Sequence, residues 1–130
     1  MSKKTIQPGN ALTQSFVVER HQTARALGSG ELEVFSTPSM IACMENTAMK
    51  LIAESLIEGF SSVGAEINAK HLKASAIGER IVIKATVISV QARSVYFEIT
   101  AVNDKGNLIG TATHTRVIVD VQRFMAKISG

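Results

Sequence analysis

The sequence predicts an α+β fold in which a curved antiparallel β-sheet wraps around one long central α-helix. Three observations predict it. A single stretch in the first half carries apolar residues at helical spacing, several other stretches alternate with the strand period, and turn signals separate the last three of these. One amphipathic helix of about 20 residues needs a sheet face to cover its apolar stripe, so a sheet folded around it is the economical arrangement.

Taken in order, Ser15 to Glu19 is a short first strand, and Leu27-Gly28-Ser29-Gly30 is a loose segment that precedes the helix. Ser36-Thr37-Pro38 reads as the helix start, with Thr37 as N-cap and Pro38 at the first helical position. The helix is expected to run to Glu58 and stop at Gly59. Met40, Ile41, Met44, Ala48, Leu51, Ile52 and Leu56 form its buried stripe, and Asn46, Thr47, Lys50 and Glu54 its wet side. Strands follow over Ser61 to His71, Arg80 to Val90, Ser94 to Val102 and Leu108 to Asp120. The turn signals Gln91-Ala92-Arg93 and Asn103-Asp104-Lys105-Gly106-Asn107 make the last three an antiparallel meander.

No repeat, charge block or linker divides the 130 residues, so one domain over 1–130 is expected. With 45% hydrophobic and 19% charged residues the chain fits no disordered, collagen-like or low-complexity class. A formal charge of +3 suits anionic ligands, while one Tyr, five Phe and no Trp argue against a base-stacking surface, so no nucleic-acid partner is expected. A single cysteine, Cys43, excludes an internal disulfide and suits a reducing compartment. The first ten residues lack the apolar stretch of a signal peptide, and no run approaches the roughly 20 apolar residues of a membrane span. The expectation is a soluble, cytoplasmic protein. His21, His71 and His114 show no metal-ligand spacing, and GxGxxG, P-loop and GxSxG motifs are absent, so neither a metal nor a cofactor is expected.

Two residues break the apolar pattern. Glu45 has Ile41, Ala42, Ala48 and Met49 as its neighbours three and four positions away on the helix. A carboxylate bordering an apolar arc must be paired, hydrogen-bonded or allowed to titrate, which fits a base, a nucleophile or a structural ion pair. His71 ends a strand face shared with Val63, Ala65, Ile67 and Ala69, while Gly64, Glu66, Asn68 and Lys70 take the opposite face. Alone it reads as a packed histidine. Facing Glu45, and near helix-start amides able to hold an oxyanion, it reads as a proton carrier. Thr37 as N-cap has a structural task worth about 1 kcal/mol, and substrate contact is its alternative role. His114 and Arg116 share a strand face with Gly110, Ala112 and Ile118, and fit either a cleft or an exposed strand end. Cys43 reads as an inert helix residue. Lys70, Lys73, Arg80 and Lys84 read as a solvated fringe that could also meet phosphates.

Val34-Phe35-Ser36-Thr37, the helix with Met44-Glu45, Gly64 through His71, Gly110 through Arg116 and Phe124-Met125-Ala126-Lys127 together resemble the hot-dog fold thioesterase superfamily, and within it the fluoroacetyl-CoA thioesterase-like family. In that family a Thr, a Glu eight residues later and a His twenty-six residues after the Glu form the catalytic constellation, and Thr37, Glu45 and His71 reproduce both spacings. The resemblance implies that Glu45 attacks the thioester carbonyl or directs a water at it, that His71 shuttles the proton, and that Thr37 holds the reacting groups. With less weight than the trio it implies substrate-binding positions at Gly64 and Arg116, to which the strand-face reading adds His114, and it implies a homodimer joined sheet edge to sheet edge with sites at the interface. Whether dimers pair into tetramers stays open. The phenylalanines that form a lid ahead of the helix in the fluoroacetyl-specific enzyme are replaced here by Gly28-Ser29-Gly30-Glu31. The leading expectation is an acyl-CoA thioesterase releasing free acid and CoA. A non-catalytic acyl-CoA-binding or sensing module, and less favourably an enoyl-CoA hydratase, are the alternatives, since fold alone does not fix function.

Overall fold

The computed structural model describes residue 2 and residues 4–130. Five strands, β1 (Ala11–Val17), β2 (Phe60–His71), β3 (Arg80–Gln91), β4 (Ser94–Asn103) and β5 (Leu108–Asp120), form one antiparallel sheet in the order β1-β3-β4-β5-β2. A short α1 (Ala24–Leu27) and the long α2 (Thr37–Ala53) precede β2, and α3 (Val121–Ser129) follows β5. The expected meander is present as β3-β4-β5. Its second turn is tied by the Asn103 side-chain oxygen, which accepts from the backbone N–H of Lys105 and of Asn107 at 3.0 Å each.

The core lies between the sheet and α2. Ile81, Ile83, Ala85 and Val87 from β3 and Val95, Phe97, Ile99 and Ala101 from β4 meet Met40, Met44, Ala48 and Ile52 from the helix, all 1% exposed or less. The strand alternation therefore reads true on β3 and β4. No helix among the described residues is long and apolar enough to cross a membrane, which leaves membrane β-barrels unaddressed.

Several expectations need correction. The first strand spans Ala11–Val17 rather than Ser15 to Glu19. α2 ends at Ala53, short of Glu58, because the next residues tighten into single turns: Ser55 N–H donates to Ile52 O and Leu56 N–H to Ala53 O. Leu56 then leaves the helix and buries its side chain to 8% exposure. Thr47 is buried rather than wet, since its hydroxyl donates to Cys43 O at 2.9 Å and accepts from Gln14 Nε2 at 2.7 Å. The terminal α3 was not foreseen. Asp120 caps it by accepting from Arg123 N–H, and no residue of α3 is buried.

Candidate active site

The start of α2 is built by Ser36, not Thr37. Ser36 has extended φ/ψ of −79°/150°, and its hydroxyl accepts from Ser39 N–H at 3.1 Å, which makes it the N-cap. Thr37 becomes the first helical residue and Pro38 the second, where a missing N–H is still harmless. This one-residue shift frees the Thr37 hydroxyl. It lies 2.9 Å from His71 Nδ1.

His71 ends β2, half-buried, with its ring edge against the Phe35 ring at a centroid distance of 6.1 Å and an interplanar angle of 82°. Its Nε2 is buried and has no hydrogen-bond partner among the described residues. Burial holds the imidazole below its ordinary pKa, with the Lys73 backbone opposing the shift. Thr37 and His71 line a cleft of about 340 Å³ with Ser29, Val34, Phe35 and Lys73. Of the basic fringe only Lys73 lines this cleft.

A second cluster lies further along the helix. β2 carries a bulge between Gly64 and Glu66, and the extra residue reverses the pleat. Gly64 therefore faces α2, contrary to the uninterrupted alternation that placed it on the opposite face. A Cβ at Gly64 would sit 2.9 Å from Glu45 Oε2, 3.4 Å from His114 Cε1 and 3.6 Å from Arg116 Nη1. Glu45 is half-buried, and among the described residues no hydrogen bond or ion pair within 4.0 Å ties its carboxylate to another side chain. His114 and Arg116 are 2% and 7% exposed, which removes the exposed-strand-end reading. Arg116 donates from Nε to Ser62 Oγ at 2.9 Å and from Nη2 to Ser62 O at 3.1 Å. Burial lowers its pKa and the Glu45 charge raises it, and the group stays a cation.

The structure thus brings Thr37 to His71 and brings Glu45 to Gly64, Arg116 and His114. It does not bring the two groups into contact within one chain: Thr37 and Glu45 are eight residues apart on α2, about 12 Å along its axis. Ser62, the Glu66 carbonyl and Phe35 join the site without having been singled out from the sequence. Ser62-Val63-Gly64-Ala65 alternates too weakly to show a phase change, so nothing local marked Ser62 as inward. Cys43 is 5% exposed and burial pushes its thiol up to about 11, in keeping with an inert core residue. Among the described residues no three His, Cys, Asp or Glu side chains gather to hold a metal.

Residues 18–122 match the sequence model of the fluoroacetyl-CoA-specific thioesterase family. The fluoroacetyl-CoA thioesterase of Streptantibioticus cattleyicolor is 32% identical over 132 residues, covering 97% of this chain and 94% of that protein. A variant of the fluoroacetyl-CoA-specific thioesterase, solved in complex with fluoroacetate and CoA, superposes with a TM-score of 0.85 at 30% identity, covering 92% of this chain and 99% of the other. A hot-dog-like protein from Thermanaerovibrio acidaminovorans shares the fold alone, with a TM-score of 0.85 at 24% identity over 93% of this chain and 89% of the other. With sequence, sheet order and central helix in agreement, the chain belongs to the fluoroacetyl-CoA-specific thioesterase family and is an acyl-CoA thioesterase with the hot-dog fold.

Proposed function

We propose that the protein splits its acyl-CoA into free acid and CoA through Thr37, Glu45 and His71, with Gly64, Arg116 and His114 around the acyl end. The Glu45 carboxylate carries this reading. It is half-buried, unpaired by any side chain among the described residues, against the backbone of Gly64 and close to a buried guanidinium. Its lone pairs are therefore available to a thioester carbonyl or to a water aimed at one, and positive charge stands nearby for the oxyanion. Thr37 orients His71 through Nδ1, and the partnerless Nε2 is the atom suited to carry a proton. His71 takes up the proton that the water gives up and passes it to the CoA sulfur as the C–S bond breaks, while the water's oxygen becomes the new oxygen of the acid. No metal or redox step is needed for this balance.

The homodimer follows from the same separation. β2 is an edge strand with one side unpaired, so a second copy can add its own β2 antiparallel across a two-fold axis. An axis between Gly64 and His71 sets His71 of one protomer opposite Gly64 of its partner, which closes the gap between His71 and Glu45. The buried, reduced Cys43 suits a cytoplasmic setting. Ahead of α2, the chain from Gly28 to Glu33 is tied down by Arg25 N–H to Leu32 O at 3.0 Å and by an Arg20–Glu33 ion pair at 2.7 Å, with no aromatic side chain in it. This favours acyl groups other than fluoroacetyl.

Thiol release from short, branched, aromatic and long acyl-CoAs, with fluoroacetyl- and enoyl-CoA included, tests the reading beside Glu45→Gln. We expect release from at least one class and a loss of roughly a hundredfold or more in the variant. Wild-type turnover in Glu45→Gln would remove Glu45 from the reaction. Tight binding without release would mark a sensing module, and conversion of the enoyl group without thiol a hydratase.

A further inference from the structure

We propose that His114 is a positioning residue of the hydrolysis, a neutral imidazole in the Nδ1–H form that locks the β2 bulge to the Arg116 guanidinium and so presents both to Glu45. The inference rests on the role proposed for Glu45. Both ring nitrogens are engaged, and their partners fix the tautomer. Nδ1 lies 2.7 Å from the Glu66 carbonyl oxygen, which can only accept, so Nδ1 carries the hydrogen. Nε2 lies 3.2 Å from Arg116 Nη1, which can only donate, so Nε2 is bare. The Phe97 ring stacks on the imidazole at 6.1 Å and 29°, which holds its plane.

Each tie has a consequence for the site. The Glu66 carbonyl belongs to the bulge that turns Gly64 inward, so His114 pins the backbone at the point where it meets Glu45. Arg116 places three of its five N–H groups on Ser62 and His114. Two remain, one on each terminal nitrogen, and Glu45 is the charge that bears on the group. A buried guanidinium without a carboxylate partner is costly, and three fixed acceptors hold it in one orientation. Gaining a proton would cost His114 the acceptor that receives Arg116 and place two cations together. Burial and Arg116 oppose that proton, while the Glu66 carbonyl and Glu45 favour it, and the balance lies below the ordinary histidine value.

The test compares His114→Leu, His114→Gln and Ser62→Ala in the full chain with the best acyl-CoA. Leucine removes both ties, and glutamine restores one donor and one acceptor. We expect kcat to fall about 30-fold in His114→Leu with KM within about threefold, and most of the loss to be recovered in His114→Gln. Ser62→Ala should lose about fivefold in kcat, because the Ser62 carbonyl still holds Nη2. Nitrogen NMR of the wild type should show the Nδ1–H tautomer from about pH 6 to 8. Wild-type kcat in His114→Leu, equal losses in the Leu and Gln variants, or an Nε2–H tautomer would overturn the proposal. If leucine prevents folding, wild-type kcat in Ser62→Ala overturns it instead. Loss in Glu45→Gln with none in these variants would leave the role of Glu45 standing and end that of His114.

Discussion

Gly64 on β2 and Gly110 on β5 both face the central helix, and the same added methyl group would meet opposite surroundings at the two positions. At Gly64 it would lie 2.9 Å from Glu45 Oε2, the far end of a flexible side chain. At Gly110 it would lie 2.5 Å from Met40 Sδ and 2.8 Å from the Lys70 carbonyl, a core side chain and fixed backbone. Each glycine also has a histidine beside it: His71 pairs with Gly110 across the β2–β5 ladder, and His114 touches the Cβ position of Gly64. One glycine makes room for the Glu45 carboxylate and the other for packing. Two glycines on neighbouring strands thus have different jobs, which no inspection of either residue alone would separate.

The contrast can be broken most directly by giving each site its methyl group. Gly64→Ala should displace the Glu45 carboxylate and lower kcat by about a hundredfold, with stability changed by less than about 1 kcal/mol. Gly110→Ala should leave kcat of the folded protein near wild type and cost about 1–3 kcal/mol in denaturant unfolding, because neither the buried Met40 nor the backbone can yield freely. A reversal of these two results would show that the division is wrong.

The helix start sharpens the same division on adjacent residues. Ser36→Ala removes the cap and should cost about 1 kcal/mol of stability with turnover nearly intact. Thr37→Ala removes no cap, so it should slow turnover with little change in melting temperature. Equal melting losses in the two variants would return the cap to Thr37.

The smallest effect is in acid. His71 and His114 are both held below the ordinary histidine value of 6.5, chiefly by burial, so the unfolded chain binds their protons more readily than the folded one. Stability should therefore be full above about pH 6.5, fall as pH drops through that value, and level off once both folded-state values are passed. Melting scans across this window should show a shallower fall in His114→Gln, and an unchanged slope would mean that His114 binds its proton as readily in the folded protein as in the unfolded chain.

The legibility of the sequence follows the strength of local periodicity. β3, β4 and β5 are legible nearly to their ends because every second residue along most of their length is apolar, and β5 placed His114 and Arg116 on one face while leaving open whether that face was a cleft or an exposed strand end. Glu45 stood out for the same reason, a charge interrupting a helical stripe. α3 departs from that rule: Val121, Phe124, Met125 and Ile128 recur at helical spacing, yet Val121, Met125 and Ile128 stay exposed in the fold, so the helical period there marks no buried stripe. Phe124-Met125-Ala126-Lys127 was noticed for its resemblance and not for its shape.

By itself the sequence determined the α+β class, the helix and its inward stripe, the meander, and the residues able to do acid–base chemistry, because each is a matter of side-chain type at a local spacing. Tertiary structure decided the rest. The bulge that turns Gly64 toward Glu45, the meeting of the Thr37 hydroxyl with His71, and the burial of Arg116 on Ser62 all depend on partners distant in sequence, and only the folded sheet sets those distances.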